Sequence, residues 1–450
     1  MRITLIVSIL VTSLSLNASM LQGGDSVSYD DDCANVNFVA ERDNSEMPNK
    51  KTSKLKCLDL FSGAGGFSLG FTMAGYEVIG AIEIDKWAAE TFQHNHPNAK
   101  VIVQDISTVS NEDILAAFPT HPDVIVGGPP CQGFSICRKN PGDPKDPRNS
   151  LFIEYLRIVK LLRPPIVVLE NVPNILNAKT QNKTSVVSIL HQELESAGYH
   201  VYHQILNATD YGVPQRRQRF VLIGSITPLK KPFPSATHYL QDDNVRNHAN
   251  GLLPCPTLWD AISDLPEIAA REGAEEMPYD KPPVNDYQRM CREGSSVLHN
   301  HLAMKHTQRL VERFSQMKWG DSVSDITDER LKQRKRNGNG AVSDTPYDQN
   351  NRRQHPYKVC NTITATFYGN FVHPFKDRNF TAREGARIQS FPDWYVFCGK
   401  PTVVSKKLLL RSGRDGEAYL CQYSQIGNAV PPLMAKAIAS NLLKQTKGAR

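Results

Sequence analysis

Between residues 55 and 224 short apolar runs alternate with longer stretches whose apolar positions recur every three or four residues. The runs Leu55–Leu60, Glu77–Ile82, Val101–Gln104, Asp123–Val126, Ile166–Glu170, Tyr199–Leu206 and Arg219–Gly224 have strand length and are bounded by turn formers. Helical spacing falls between them, as at Trp87–His94, Leu151–Leu162 and Val186–Ala197. Such alternation predicts an α/β fold with a doubly wound, mostly parallel sheet. After residue 225 the texture changes. Residues 226–354 are rich in Pro, Asn, Asp and Gly, have weak periodicity and carry the basic run "ERLKQRKRNGNG". That composition predicts a second, irregular domain bearing recognition loops, or an insertion with a solvated charged face. Order returns at 360–395, and the chain ends in an amphipathic helix, Leu433–Leu443.

Four strand ends interrupt this pattern with chemistry. In "DVIVGGPPCQGFS" (123–135) the strand runs into two glycines and two prolines before Cys131. That sequence puts the thiol on a stiff loop at the carboxyl edge of a sheet, where open α/β folds bind ligands. A buried cysteine in an ordinary turn is the alternative. In "LDLFSGAGGFSLGF" (58–71) a glycine turn links strand to helix, but Ser68 stands where a dinucleotide fingerprint needs glycine. Glu83 follows at the distance of a ribose-binding carboxylate, and Asp105 closes a third strand. The three together suggest an adenosine-containing cofactor without a diphosphate. "VVLENVPNIL" (167–176) sets Glu170 and Asn171 at another strand end. Neighbouring parallel strands bring Glu170 to the same edge as Cys131, a nucleophile with a proton donor. In "YGVPQRRQRFVLIG" (211–224) Gln215, Arg217 and Arg219 alternate, which predicts one row directed at a cleft.

Composition narrows the class. The 450 residues are 40% hydrophobic and 22% charged, as in globular domains. Nine scattered cysteines without a C-x-x-C pair argue against a zinc ribbon or a disulfide framework. The net charge is +6; residues 1–50 hold three basic and seven acidic side chains, which leaves the remainder at +10. A basic body suits a polyanionic partner without requiring one. "MRITLIVSILVTSLSLNAS" has the form of a signal peptide. The competing reading is a misassigned start, with translation beginning at Met20 or Met47, and the soluble, strand-leading "MPNKKTSKLKCLDLF" favours it. A secreted protein rests on residues 1–20 alone. No stretch reads as a membrane span.

These blocks, continued by "NTITATF" (361–367), "FTAREGARIQSFPD" (380–393) and "QIGNAVPP" (425–432), closely resemble the cytosine-C5 DNA methyltransferases, from residue 55 to 443 apart from the variable region. The resemblance implies a Rossmann-like methyltransferase fold, S-adenosyl-L-methionine as cofactor and double-stranded DNA as partner, with no metal and a monomeric chain in the cytoplasm, nucleoid or nucleus. By the same resemblance the Cys131 thiolate adds to C6 of a flipped-out cytosine. Glu170 serves N3 and the exocyclic amine, and Arg219 with Arg217 holds the O2 side. Phe61, Gly63, Gly65, Glu83, Ile84, Asp105, Ile106, Pro129, Leu151 and Asn428 fall at cofactor positions. Ser135 and Arg138, in the expected cover loop 131–150, face DNA phosphates. The implied organisation is an extension at 1–50, a catalytic and cofactor-binding domain at 51–224, and a target-recognition domain at 225–395. A surface insertion at 396–424, longer than the family pattern, precedes a C-terminal helix at 425–450 that returns to the first domain. A tRNA-directed enzyme of the same fold and an inactive DNA-binding regulator are the alternatives.

Overall fold

The computed structural model describes residues 53–130, 151–180, 183–240, 251–335, 340–343, 351–402, 406–413 and 419–447. Cys131, Ser135 and Arg138 lie outside the described residues, as do the N-terminal extension and the basic-run positions 336–339.

The seven predicted strands all form, with ends within two residues of the expected ones. They are β1 (Lys56–Leu60), β2 (Glu77–Glu83), β3 (Lys100–Val103), β4 (Val124–Gly127), β5 (Ile166–Asn171), β6 (His200–Asn207) and β7 (Gln218–Ser225). One sheet holds them in the order β3-β2-β1-β4-β5-β7-β6. The first five are parallel, whereas β7 runs antiparallel to both β5 and β6. β6 and β7 make an antiparallel pair whose second strand slots in against β5, a reversal that local periodicity does not encode. Burial follows position: β4 is buried throughout, while the edge strands β3 and β6 expose several residues.

Alternate residues of the central strands feed two cores, as strand geometry demands. Leu58, Leu60, Ile125, Val167, Leu169, Phe220 and Leu222 pack on one face against α3 (Asn111–Ala117), α4 (Leu151–Leu162) and α5 (Val186–Ser196), whose ends follow α1 (Gly66–Met73) and α2 (Lys86–Asn95) in the chain. Cys57, Val124, Val126, Val168, Val221 and Ile223 pack on the other against α1 and the C-terminal helix Pro432–Lys447. That last helix lies on α1: Tyr76, just past α1, donates from its hydroxyl to the Ala439 carbonyl at 3.4 Å.

Beyond β7 the elements are short. Helix Gln308–Ser315 packs through Phe314 with Met317, Ile326, Leu331 and Val372, while helices Leu258–Ile262, Asp286–Arg292 and Ala382–Ile388 share a core with an antiparallel pair, Gly273–Met277 with Leu298–Leu302. Their apolar core takes in Ala64 and Leu69, beside and within α1. Residues Ser53–Arg450 accordingly form one compact unit, and packing does not break at residue 225. Among the described residues no helix is long and apolar enough to cross a membrane.

Candidate active site

The strand order reverses between β1 and β4. The chain winds outward through β2 and β3, then returns to lay β4 on the other side of β1. The carboxyl ends at such a switch point border a natural crevice. Register fixes who stands there, since Leu60 pairs with Ile82 and with Gly127, and Gly127 pairs with Leu169. Phe61, Glu83, Gly128 and Glu170 are therefore each the next residue at one common edge.

On the β1 side Phe61 adopts φ 59, a left-handed conformation rare outside glycine, and Gly63 and Gly65 continue the turn at φ 53 and 84. A strained non-glycine residue at a loop of this kind persists only where its surroundings enforce it. Here the Phe61 amide donates to the Ile82 carbonyl at 3.0 Å, and the Gly63 amide donates to Glu83 Oε2 at 2.7 Å. Glu83 Oε1 accepts from the Asp85 amide at 2.8 Å. Burial pushes the Glu83 carboxyl above the ordinary glutamate range, and these two donors oppose the shift. Beside it Ile84 is 63% exposed and Val103, at the end of the neighbouring strand, 54%. An apolar step next to a fixed carboxylate has the chemistry to receive a nucleoside, with the step suited to a base and the free lone pairs to ribose hydroxyls. Asp105 follows on that edge and caps a short 3-10 turn, its Oδ1 accepting from the Ser107 amide, while Ile106 is buried behind it.

On the β4 side the two glycines have a steric reason. A Cβ on Gly127 would come within 2.8 Å of the Leu60 carbonyl oxygen and 2.9 Å of the Tyr155 ring. A Cβ on Gly128 would stand 3.2 Å from Glu170 Oε2. Asn171 then donates from Nδ2 to the Pro129 carbonyl at 3.0 Å, in a buried bond that bolts the start of the Pro129–Pro130 segment to β5. Leu151 opens α4, half-buried.

Because β7 is antiparallel, its first residues meet this edge. Arg219 Nε lies 2.7 Å from Glu170 Oε1, with the two side chains only 11% and 12% exposed. Burial lowers the Arg219 pKa and the carboxylate opposes that shift. The expected row of Gln215, Arg217 and Arg219 is corrected here. β7 begins only at Gln218, so the residues before it do not follow strand alternation. Arg217 is fully buried and donates to the carbonyls of Ile363, Gly427 and Ala429 at 2.6, 3.1 and 2.9 Å. Gln215 is buried on Gln389 and the Ile388 carbonyl. Both tie β7 to the closing segments of the chain rather than facing the crevice. Asn428 is exposed at the end of its helix, between two of the carbonyls that Arg217 holds.

Two residues that the sequence reading did not name, Asp59 and Tyr395, belong to the site's support together with Asn171, which it placed at the strand end without a role. Asp59 is fully buried beneath the glycine turn, accepts from Ser68 Oγ at 2.7 Å and leaves Oδ1 without a partner. Burial raises its carboxyl to about 7. A carboxylate inside an otherwise apolar strand was the available signal. Tyr395 donates to the Ala64 carbonyl at 2.5 Å, and Asn171 acts as described above. Among the described residues no group of three or more His, Cys, Asp or Glu side chains is arranged to hold a metal ion.

The fold and this edge define a methyltransferase of the cytosine-C5 type, and comparison with known proteins agrees. The family profile for C-5 cytosine-specific DNA methylases matches residues 55–444, and the chain belongs to that family. Its members methylate carbon 5 of cytosine in DNA through a covalent enzyme adduct, and so does this enzyme. It is similar to the Type II methyltransferase M.DdeI of Desulfomicrobium norvegicum, 47% identical over 390 residues that span 86% of this chain and 88% of the relative. M1.HphI of Haemophilus parahaemolyticus is 34% identical over 395 residues, 87% of each. In fold it resembles the crystal structure of a candidate DNA modification methyltransferase from an Escherichia coli prophage, with a TM-score of 0.64, 24% identity, and coverage of 88% of this chain and 100% of the other.

Proposed function

We propose that this enzyme uses Cys131, Glu170 and Arg219 to methylate a cytosine rotated out of double-stranded DNA, with S-adenosyl-L-methionine bound along the β1–β3 edge. The observation that carries the reading is the buried Glu170–Arg219 pair beside Gly128, with the Pro129–Pro130 segment held against Asn171. Ring chemistry at C5 and C6 is blocked inside a stacked duplex, so the base must leave the helix. The Cys131 thiolate then forms a bond to C6, and the C5–C6 π electrons are released toward C5. Glu170 accepts from the exocyclic amine and delivers a proton to N3, which makes C6 electrophilic. Arg219 orients Glu170 and stabilises charge on the O2 side. Once C5 has taken the methyl group that a bound sulfonium donor would give up, the donor leaving as the thioether S-adenosyl-L-homocysteine, loss of the C5 proton to a base expels the thiolate from C6 and restores the ring. S-adenosyl-L-methionine, when bound, supplies the electrophilic methyl group.

Phe61, Gly63, Gly65, Glu83, Ile84, Asp105, Ile106, Pro129, Leu151 and Asn428 are the residues proposed to hold that cofactor. Ser135 and Arg138 are proposed to contact phosphates, and the 225–395 segment to read the target sequence in a Type II setting. A charge of +10 outside the first fifty residues supports a polyanionic substrate. The test is transfer of labelled methyl groups to duplex DNA and to tRNA, with bisulfite sequencing of the DNA. Wild type labels DNA only. Glu170→Gln slows transfer by about 10²–10⁴-fold, the usual worth of a positioned acid–base group, and Cys131→Ser abolishes the covalent adduct. Full activity of Cys131→Ser would sink the proposal.

A further inference from the structure

The segment that exceeds the family pattern, expected as a surface insertion, is not merely on the surface. Its two ends are stitched together and fastened to the first turn of α2, immediately after Glu83 and Ile84. The Gln422 amide donates to the Lys400 carbonyl at 3.1 Å, and Gln425 Nε2 donates to the carbonyls of Cys398 and Leu420 at 3.0 and 2.9 Å. On the α2 side, the Cys398 amide donates to Thr91 Oγ1 at 2.8 Å.

Asp85 is the junction. Its amide donates to Glu83 Oε1, its Oδ1 caps α2 by accepting from Ala88 N at 3.0 Å, and its Oδ2 accepts from Leu420 N at 2.7 Å. One residue thus fixes the orientation of the Glu83 carboxylate and the returning end of the insertion together. Trp87 is the second anchor. Gly399 lies directly on its indole, since a Cβ there would fall 2.7 Å from the ring. Tyr419 meets the indole at 5.4 Å between centroids, and the Lys400 ammonium stands 5.9 Å above it. Trp87 and Tyr419 are only partly buried, and Trp87 stands three positions after the exposed Ile84.

We propose that the ends of the 398–422 segment clamp the adenosine side of the cofactor crevice, with Asp85, Trp87 and Tyr419 as positioning residues that hold Glu83 and Ile84. The proposal rests on the reading that Glu83 and Ile84 receive the nucleoside. These residues touch no reacting atom, so the clamp governs cofactor affinity and leaves the chemical step alone.

The experiment is calorimetric titration of the full chain with S-adenosyl-L-homocysteine, alongside steady-state methyl transfer at saturating DNA. Tyr419→Ala weakens binding about tenfold, equivalent to about 1.4 kcal/mol. It raises KM for S-adenosyl-L-methionine in proportion, with kcat unchanged. Tyr419→Phe, which keeps the ring, binds as wild type. Asp85→Asn, which keeps the cap but weakens the bond to Leu420, falls between them. A folded Tyr419→Ala protein with wild-type affinity overturns the clamp, as does a loss confined to kcat. If wild type itself binds no S-adenosyl compound, the cofactor reading has failed and the clamp fails with it, a result distinct from unchanged affinity in the variant.

Discussion

Arg217 and Arg219 stand two positions apart and do different work. Arg219 spends its charge on Glu170 at the crevice, while Arg217 satisfies three backbone carbonyls from two segments, Ile363 in one and Gly427 and Ala429 in the other, in a buried site. Removing a buried donor of this kind strands its acceptors, at about 1–3 kcal/mol for each group left unpaired. Arg217→Met is therefore expected to lower the urea midpoint strongly while the folded fraction keeps its turnover. Arg219→Lys preserves the charge but loses the fork geometry. Its urea midpoint stays near wild type and its methyl-transfer rate falls by about 10²-fold, the scale of one lost donor at developing charge. Equal loss of stability in both variants would contradict this division. Period-two alternation, extended back to Gln215 before the strand begins, predicted one row directed at the cleft, and the family resemblance then set both arginines at the O2 side.

At the level of elements, the sheet was legible wherever a run of apolar residues met a glycine or proline, which is why all seven strands stand close to their expected bounds. The edge that gathers Phe61, Glu83, Gly128 and Glu170 was legible too, because parallel neighbours end together. The direction of β7 was not, since nothing local in Gln218–Ser225 says which way it runs beside β5, and that direction delivers Arg219 to Glu170. Equally hidden was the ionic core of "FTAREGARIQSFPD": Arg387 is fully buried between Asp264 and Asp393, a partnership across 123 positions that short spacing cannot reveal. The contact of α1 with the C-terminal helix depends on a missing side chain. A Cβ at Gly70 would lie 2.3 Å from the Ala435 Cβ and 2.6 Å from the Pro432 carbonyl oxygen. Gly70→Ala forces the helices apart and is expected to cost about 1–3 kcal/mol as an overpacked substitution, read as a lower midpoint in urea. Because α1 begins at the glycine turn, the same variant also weakens S-adenosyl-L-homocysteine binding.

Across the whole molecule the buried titratable groups set the pH range of stability, and they do not all pull one way. His96 lies beneath the glycine turn beside Gly65, and His306 and His373 lie near the Arg378–Glu384 pair. Burial lowers the first two to about 4 and the third to about 3. Two of them accept backbone N–H bonds through ring nitrogens, His306 from Asn379 and His373 from Phe375 and Lys376, so both are held neutral. In the unfolded chain each titrates near 6.5. Between that value and the folded one the unfolded state binds more protons, so their contribution is present at neutral pH and is lost as pH falls. Asp59 opposes them. With its carboxyl raised to about 7 against an ordinary 3.8, the folded state binds the extra proton, and acidification through that window adds stability. Glu83, raised by burial, acts with Asp59, and His301, lowered by burial, acts with the other three histidines, so the histidines together give a net decline in stability from pH 6.5 to 4. The urea midpoint is expected to fall steadily over that range, and to fall more steeply in Asp59→Asn, which lacks the compensating carboxyl. A midpoint independent of pH in wild type, or a shallower slope in the variant, would mean that these groups are hydrated in the native state.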